Sequence, residues 1–200
     1  MNYNYIAPYY DLLSRICFLN QQQKAHQIIL EHLKPNAKIL WLGGGSGWFL
    51  PKIDQLRFNL SIDYVEVSLV MLTKAKQKKL KNTSVHFIEE DILKFNSDQK
   101  YDVIITAFIF DHFKREECEL MFNRFNENLK TNGKWIYIDF CENQTKIQRC
   151  LTRAMVLFFN VVAGIKAKDF PKVDDLFNNF KMLAKRAYFL KYIEAKVYVK

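Results

Sequence analysis

Hydrophobic positions along the chain gather into short β-rich runs, separated by longer stretches of mixed polarity. The first run, Lys38-Ile39-Leu40-Trp41-Leu42, stops at a break containing Gly43, Gly44, Gly45 and Gly47. A second, Leu60–Val65, ends at Glu66, and a third, Val85–Ile88, leads into Glu89-Glu90-Asp91-Ile92. A fourth extends from Tyr101 to Thr106 and continues as Ala107-Phe108-Ile109-Phe110-Asp111-His112-Phe113. A fifth covers Lys134–Phe140 after a Thr131-Asn132-Gly133 turn, and Arg186–Phe189 and Ile193–Val199 read as two more. Apolar runs bounded by turn residues mark strands buried on both faces. Helical stretches are expected before the first run, from Leu69 onward and over Glu116–Leu129. Strands alternating with helices predict a parallel sheet covered on both sides.

The glycine break is where chemistry enters. Glycine permits left-handed backbone angles and close ligand approach, and a following helix offers unpaired N–H groups at its start. The dinucleotide pattern G-x-G-x-x-G fails in both frames, because Trp48 and Ser46 stand where glycine is needed, and no Gly-Lys-Ser/Thr follows for a P-loop. What remains is G-x-G-x-G after a strand. Glu66 then falls roughly 20 residues past the loop, the spacing at which doubly wound folds place an acid on a ribose.

These residues resemble the class I S-adenosylmethionine-dependent methyltransferases. The stretch Glu66-Val67-Ser68-Leu69-Val70-Met71-Leu72 matches the family's acid-x-Ser-x-x-Met-Leu phrase residue for residue. Asp91 matches the acid that accepts from the adenine amino group, in a run of three acids that leaves its register open by one. The resemblance implies a Rossmann-like, seven-stranded, mostly parallel doubly wound α/β sheet closed by a C-terminal antiparallel hairpin. It also implies a site for S-adenosylmethionine made by Gly43, Gly44, Gly45, Gly47, Glu66, Val67, Met71, Asp91, Ile92 and Thr106. One position departs from the pattern: Trp41 stands where the family carries an acid near the cofactor's amino-acid end. Simpler readings stay open. Ser68 or Glu66 can cap the helix beginning near Leu69, and the acids at 89–91 can form a solvated turn.

The phrase Ile6-Ala7-Pro8-Tyr9-Tyr10-Asp11 is similar to the start of the branch that includes ubiquinone and menaquinone C-methyltransferases. There it folds over the cofactor as a lid, with Tyr10 and Asp11 as the matching positions. The alternative is an ordinary helix anchored by tyrosines. The resemblance divides the single domain into a lid (1–35), a cofactor core (36–140), an acceptor cap (141–182) and a hairpin (183–200). The apolar stretch Ala154–Ile165 is too short to span a bilayer, which needs roughly 20 residues. It reads as a cap over the acceptor, a core helix, or a face for a partner or a membrane surface.

Methyl transfer needs alignment and, for a hydroxyl or activated carbon acceptor, a base. His112, after the fourth strand, is the candidate, because its ordinary pKa suits neutral pH. Asp111 would orient it or act itself. The alternative is that Asp111 caps the next helix and His112 packs or faces water. Tyr9 and Tyr10 are weaker candidates for polarising an acceptor, and His26 and His32 read as structural.

Composition sets the outer bounds. Two hundred residues, half of them hydrophobic, suffice for one core. The four cysteines show no paired spacing and read as free thiols of a reducing cytoplasm, with no metal site. Met1–Tyr5 lacks a signal-peptide pattern, which supports a cytoplasmic expectation. A net charge of +9 favours anionic partners. The densest basic run, Lys74 to Lys81, lacks interleaved aromatics and reads as a solvated face. No nucleic-acid module accompanies it, and the Asp/Asn-Pro-Pro-Tyr/Phe phrase of base-amine methyltransferases is absent after the fourth strand. The expectation is therefore methyl transfer from S-adenosylmethionine to a small apolar or aromatic acceptor. A nucleic-acid methyltransferase, a catalytically silent module and an aminopropyltransferase remain the alternatives.

Overall fold

The computed structural model describes residues 21–141, 171–189 and 191–200. Two short helices, α1 (Gln21–Ala25) and α2 (Gln27–His32), precede the strand β1 (Lys38–Leu42). Then follow α3 (Leu50–Asp54), β2 (Leu60–Glu66), α4 (Leu69–Lys76), β3 (Thr83–Glu89) and β4 (Tyr101–Ala107). The helix α5 (Arg115–Asn128) and the strands β5 (Leu129–Phe140), β6 (Lys181–Tyr188) and β7 (Ile193–Val199) complete the order. The strands form one seven-stranded sheet in the order β3-β2-β1-β4-β5-β7-β6. Pairs from β3 to β5 are parallel, and β7 runs antiparallel to both of its neighbours. This is the doubly wound sheet with a closing hairpin that the sequence predicts.

Strand alternation builds two cores from the same strands. On one face lie Ile39, Trp41, Ile62, Tyr64, Ile105, Ala107, Ile136 and Ile138, covered by Ile28 and Ile29 of α2 and by Leu50 and Ile53 of α3. On the other lie Leu40, Leu42, Val65, Ile104, Trp135 and Tyr137, covered by Cys118, Met121, Phe122 and Phe125 of α5. Burial on both faces explains why β1 and β4 read as unbroken apolar runs. Because β1 lies between β2 and β4, the chain leaves β1 towards one side of the sheet and β4 towards the other. Ligand crevices form at such a switch.

Three boundaries differ from the sequence reading. The turn at 131–133 is drawn into β5, because Asn132 N–H donates to the Lys200 carbonyl and Lys200 N–H to that of Gly133. The hairpin's first strand starts at Lys181, not Arg186. It is an edge strand exposed on both faces, with Met182 and Leu183 nearly half exposed, so it carries no hydrophobic alternation to read. The helix after the glycine loop is five residues long, with Pro51 in its first turn. The lid phrase with Tyr9, Tyr10 and Asp11, most of the cap, Cys17 and Cys150 lie outside the described residues. Among the described residues, no helix is long and apolar enough to cross a membrane.

Candidate active site

The carboxyl ends of β1, β2 and β4 meet the start of α1 around a cavity of about 280 Å³. The glycine loop forms its floor. Gly43, Gly45 and Gly47 all adopt left-handed φ near +65°, where a Cβ strains the chain. Gly44 is required by space instead: a Cβ there would come 2.0 Å from the Tyr64 ring. Gly45 is the reverse case, because nothing lies within 4 Å of the place where its Cβ would go. That open space is on the ligand side of the loop.

Glu66 ends β2 against this loop. Its Oε2 accepts from Gly45 N–H at 2.9 Å and its Oε1 from Ser68 N–H at 2.8 Å. Burial raises its pKa, against the pull of those backbone donors. Each carboxylate oxygen has a lone pair to spare. Val67, the next residue, is about half exposed and lines the cavity. Ser68 caps α4 by accepting from Met71 N–H at 3.4 Å, so the capping reading holds for Ser68 while Glu66 faces the cavity. Met71, Asp91 and Ile92 also line it. Asp91 Oδ1 accepts from Leu93 N–H at 3.0 Å, which fixes the turn after β3.

Two predicted site residues stand elsewhere. Thr106 is buried on the opposite face of the sheet, where its hydroxyl accepts from Trp135 Nε1 at 3.0 Å. Alternation forces this, because Ile105 and Ala107 point to the other core. Asp111 is not a cavity wall either. It is partly buried in the 3-10 turn Phe110–His112, and its buried Oδ1 has no hydrogen-bond partner, although His112 Nε2 is 3.5 Å away. Asp111 does not cap α5, whose start is held by Glu117 accepting from Lys114 N–H.

His112 does line the cavity. Burial lowers its pKa, opposed by the Asp139 and Glu66 carboxylates and by a hydrogen bond to the Phe108 backbone. Asp139, at the end of β5, holds this loop: its Oδ2 accepts from Phe110 N–H at 3.0 Å and from Ile109 N–H at 3.3 Å. Burial beside Asp111 raises the pKa of Asp139.

The remaining wall is aromatic. Trp41 is buried and packs on Tyr64 at 5.7 Å. Trp48, Phe49 and Phe108 surround His26, which also lines the cavity. The sequence reading assigned His26 to structure alone. Nothing local signals its place in the cavity wall, which arises only where α1 meets residues from two distant loops. Among the described residues, the cavity walls include Glu66, Asp91 and Glu117 and no lysine or arginine, in a protein of net charge +9.

This sheet order and strand-end site are those of the class I methyltransferase fold, and comparison with known proteins agrees. Residues 39–133 match the model of a methyltransferase domain. Malonyl-[acyl-carrier protein] O-methyltransferase 1 of Ilyobacter polytropus is 30% identical over 114 residues, which is 57% of this chain and 42% of that protein. The carboxy-S-adenosyl-L-methionine synthase of Campylobacter fetus is 26% identical over 135 residues, covering 66% and 57% of the two chains. The chain thus spans between two fifths and three fifths of the length of these curated relatives. Among solved structures, the magnesium protoporphyrin IX methyltransferase of Synechocystis, with bound S-adenosylhomocysteine, superposes with a TM-score of 0.67 at 16% identity, over 91% of this chain and 84% of that one. Residues 39–133 thus match a methyltransferase domain, and the chain has the fold of the class I S-adenosylmethionine-dependent methyltransferases.

Proposed function

We propose that this chain transfers a methyl group from S-adenosylmethionine to a small apolar or aromatic acceptor. The observation that carries the reading is Glu66, whose half-satisfied carboxylate closes the open glycine floor of the cavity. The residues suit the cofactor. Gly45 leaves room above the loop, Glu66 has lone pairs for two vicinal hydroxyls, and Val67 offers an apolar edge beside them. Acidic and aromatic walls, with no lysine or arginine among the described residues, suit a sulfonium. When bound, the cofactor supplies an electrophilic methyl. The protein's part is to align an acceptor and receive its proton. His112, held neutral by burial, is the proton acceptor in this reading. Asp139 acts at one remove, by fixing the loop that carries His112.

Trp41 supports a second reading. Where the family has an acid, this chain presents a buried indole, and a silent module that kept the fold would tolerate that change. Calorimetric titration with S-adenosylmethionine and S-adenosylhomocysteine decides between the readings, followed by transfer of a labelled methyl to a panel of small acceptors. Micromolar binding with transfer that His112→Gln slows by 10²–10⁴ supports the enzyme. Binding without transfer to any extract supports the module, and absence of binding removes both.

A further inference from the structure

The cavity has two ends. Glu66 and Asp91 follow β2 and β3, whereas Phe108 follows β4 and packs with His26 of the α1–α2 junction. If the first end takes the nucleoside, the second faces the acceptor. That inference rests on the methyltransferase reading above.

The second end carries one polar group whose hydrogen-bonding state the geometry fixes. His26 Nδ1 lies 2.8 Å from the Gln22 carbonyl oxygen. A carbonyl only accepts, so Nδ1 bears the hydrogen and Nε2 carries a lone pair in the neutral ring. The ring stacks on Phe108 at 5.8 Å and 28°, and meets Trp48 at 4.9 Å and Phe49 at 5.3 Å. These three rings hold the imidazole in place. No hydrogen bond to Nε2 comes from the described residues. His26 lines the cavity, and Nε2 is the ring atom left to meet a ligand there. Phe108 is held at φ +56°, a left-handed angle uncommon for a bulky residue. Such outliers cluster at ligand clamps, and here the outlier presents the ring against which His26 stacks.

We propose that this end of the cavity binds a neutral hydroxyl-bearing aromatic, a phenol, with His26 Nε2 accepting the hydrogen bond from its hydroxyl. The aromatic walls match the ring, and the lone pair requires a donor. Glu66, Asp91 and Glu117, with no lysine or arginine among the described walls, disfavour an aromatic carboxylate. Burial, opposed by the Gln22 hydrogen bond and helped by the charge of Lys52 in α3, lowers the imidazole pKa to about 4. The lone pair is therefore present throughout the neutral range.

The probes are phenol, toluene and benzoate, titrated into protein saturated with S-adenosylhomocysteine and labelled with ¹⁵N at histidine. Phenol is expected to bind at least tenfold more tightly than toluene, with benzoate weakest, and to move the Nε2 resonance of His26 towards its protonated position. His26→Phe keeps an aromatic ring and removes the lone pair. It is expected to weaken phenol at least tenfold and leave toluene unchanged. Equal binding of phenol and toluene, an unmoved Nε2 resonance, or phenol affinity unaltered in His26→Phe would overturn the proposal. So would a lack of phenol binding to protein that binds S-adenosylhomocysteine. If S-adenosylhomocysteine itself fails to bind, the methyltransferase reading falls. The phenol-toluene difference on the free protein then still tests His26. The resonance of the unmodified protein decides the matter if the variant does not fold.

Discussion

Glu66 Oε2 accepts a hydrogen bond from Gly45 N–H at 2.9 Å, joining the end of β2 to the middle of the glycine loop. One carboxylate thereby sets the loop's position and lines the cavity above it. Glu66→Ala removes both functions. Hydrogen bonds to charged groups are each worth about 1.5–3 kcal/mol, so affinity for S-adenosylhomocysteine should fall by one to two orders of magnitude in calorimetry. An affinity within threefold of the unmodified protein would show that the acid serves the loop and not the ligand.

The two central glycines of the loop should fail differently. Gly44→Ala drives a methyl into the Tyr64 ring, whose Cζ is 2.0 Å away. Overpacking of this kind costs about 1–3 kcal/mol. Gly45→Ala meets open space and bears only the left-handed φ of +65°, about 1–2 kcal/mol. Gly45→Ala should keep most of the thermal stability and lose ligand affinity. Gly44→Ala should lose stability first. Melting curves recorded with and without S-adenosylhomocysteine separate the two.

Asp111 should become a liability as pH rises. Burial raises its pKa above the usual carboxylate value. Above about pH 4 the unfolded chain releases a proton that the folded protein retains, so folding weakens with increasing pH through this group. Asp111→Asn should therefore gain stability relative to the unmodified protein between pH 4 and neutrality, measured by urea unfolding. A gap that is constant with pH would place the charge of Asp111 in solvent.

His26 should act on the acid side with the opposite sense. Its pKa falls from 6.5 to about 4 on folding. Below pH 6.5 the unfolded chain takes up a proton that the folded protein refuses, so this contribution is lost as pH falls from 6.5 to 4. At about 1.4 kcal/mol per pH unit, the full effect is about 3 kcal/mol. The stability difference between the unmodified protein and His26→Phe should narrow across that window. An imidazole that titrates near 6.5 by NMR would contradict the burial.

The central sheet was legible because β1 and β4 are buried on both faces, and such strands announce themselves as apolar runs. The glycine loop and Glu66 were legible because strand end, break and spacing coincide within a short span. Thr106 was misplaced by a single step of strand parity, which sends alternate side chains to opposite cores. The start of β6 was invisible because an edge strand open on both faces has no pattern to show. The packing of His26 escaped the sequence for a different reason. Its surroundings come from residues 48, 49 and 108, and no local signal in the sequence reports that meeting.

The sheet order also governs how the protein can assemble during synthesis. The strand β7, the last to be made, sits between β5 and β6, so the open edge of β5 finds no neighbour until both hairpin strands have left the ribosome. The hairpin pairs locally and can form by itself within microseconds, then dock in one step as a preformed unit. Until that moment a nascent chain already holding β1 to β5 displays an unpaired, apolar strand edge. Slow translation or a stall beyond residue 140 is thus the interval in which this chain is most exposed to aggregation.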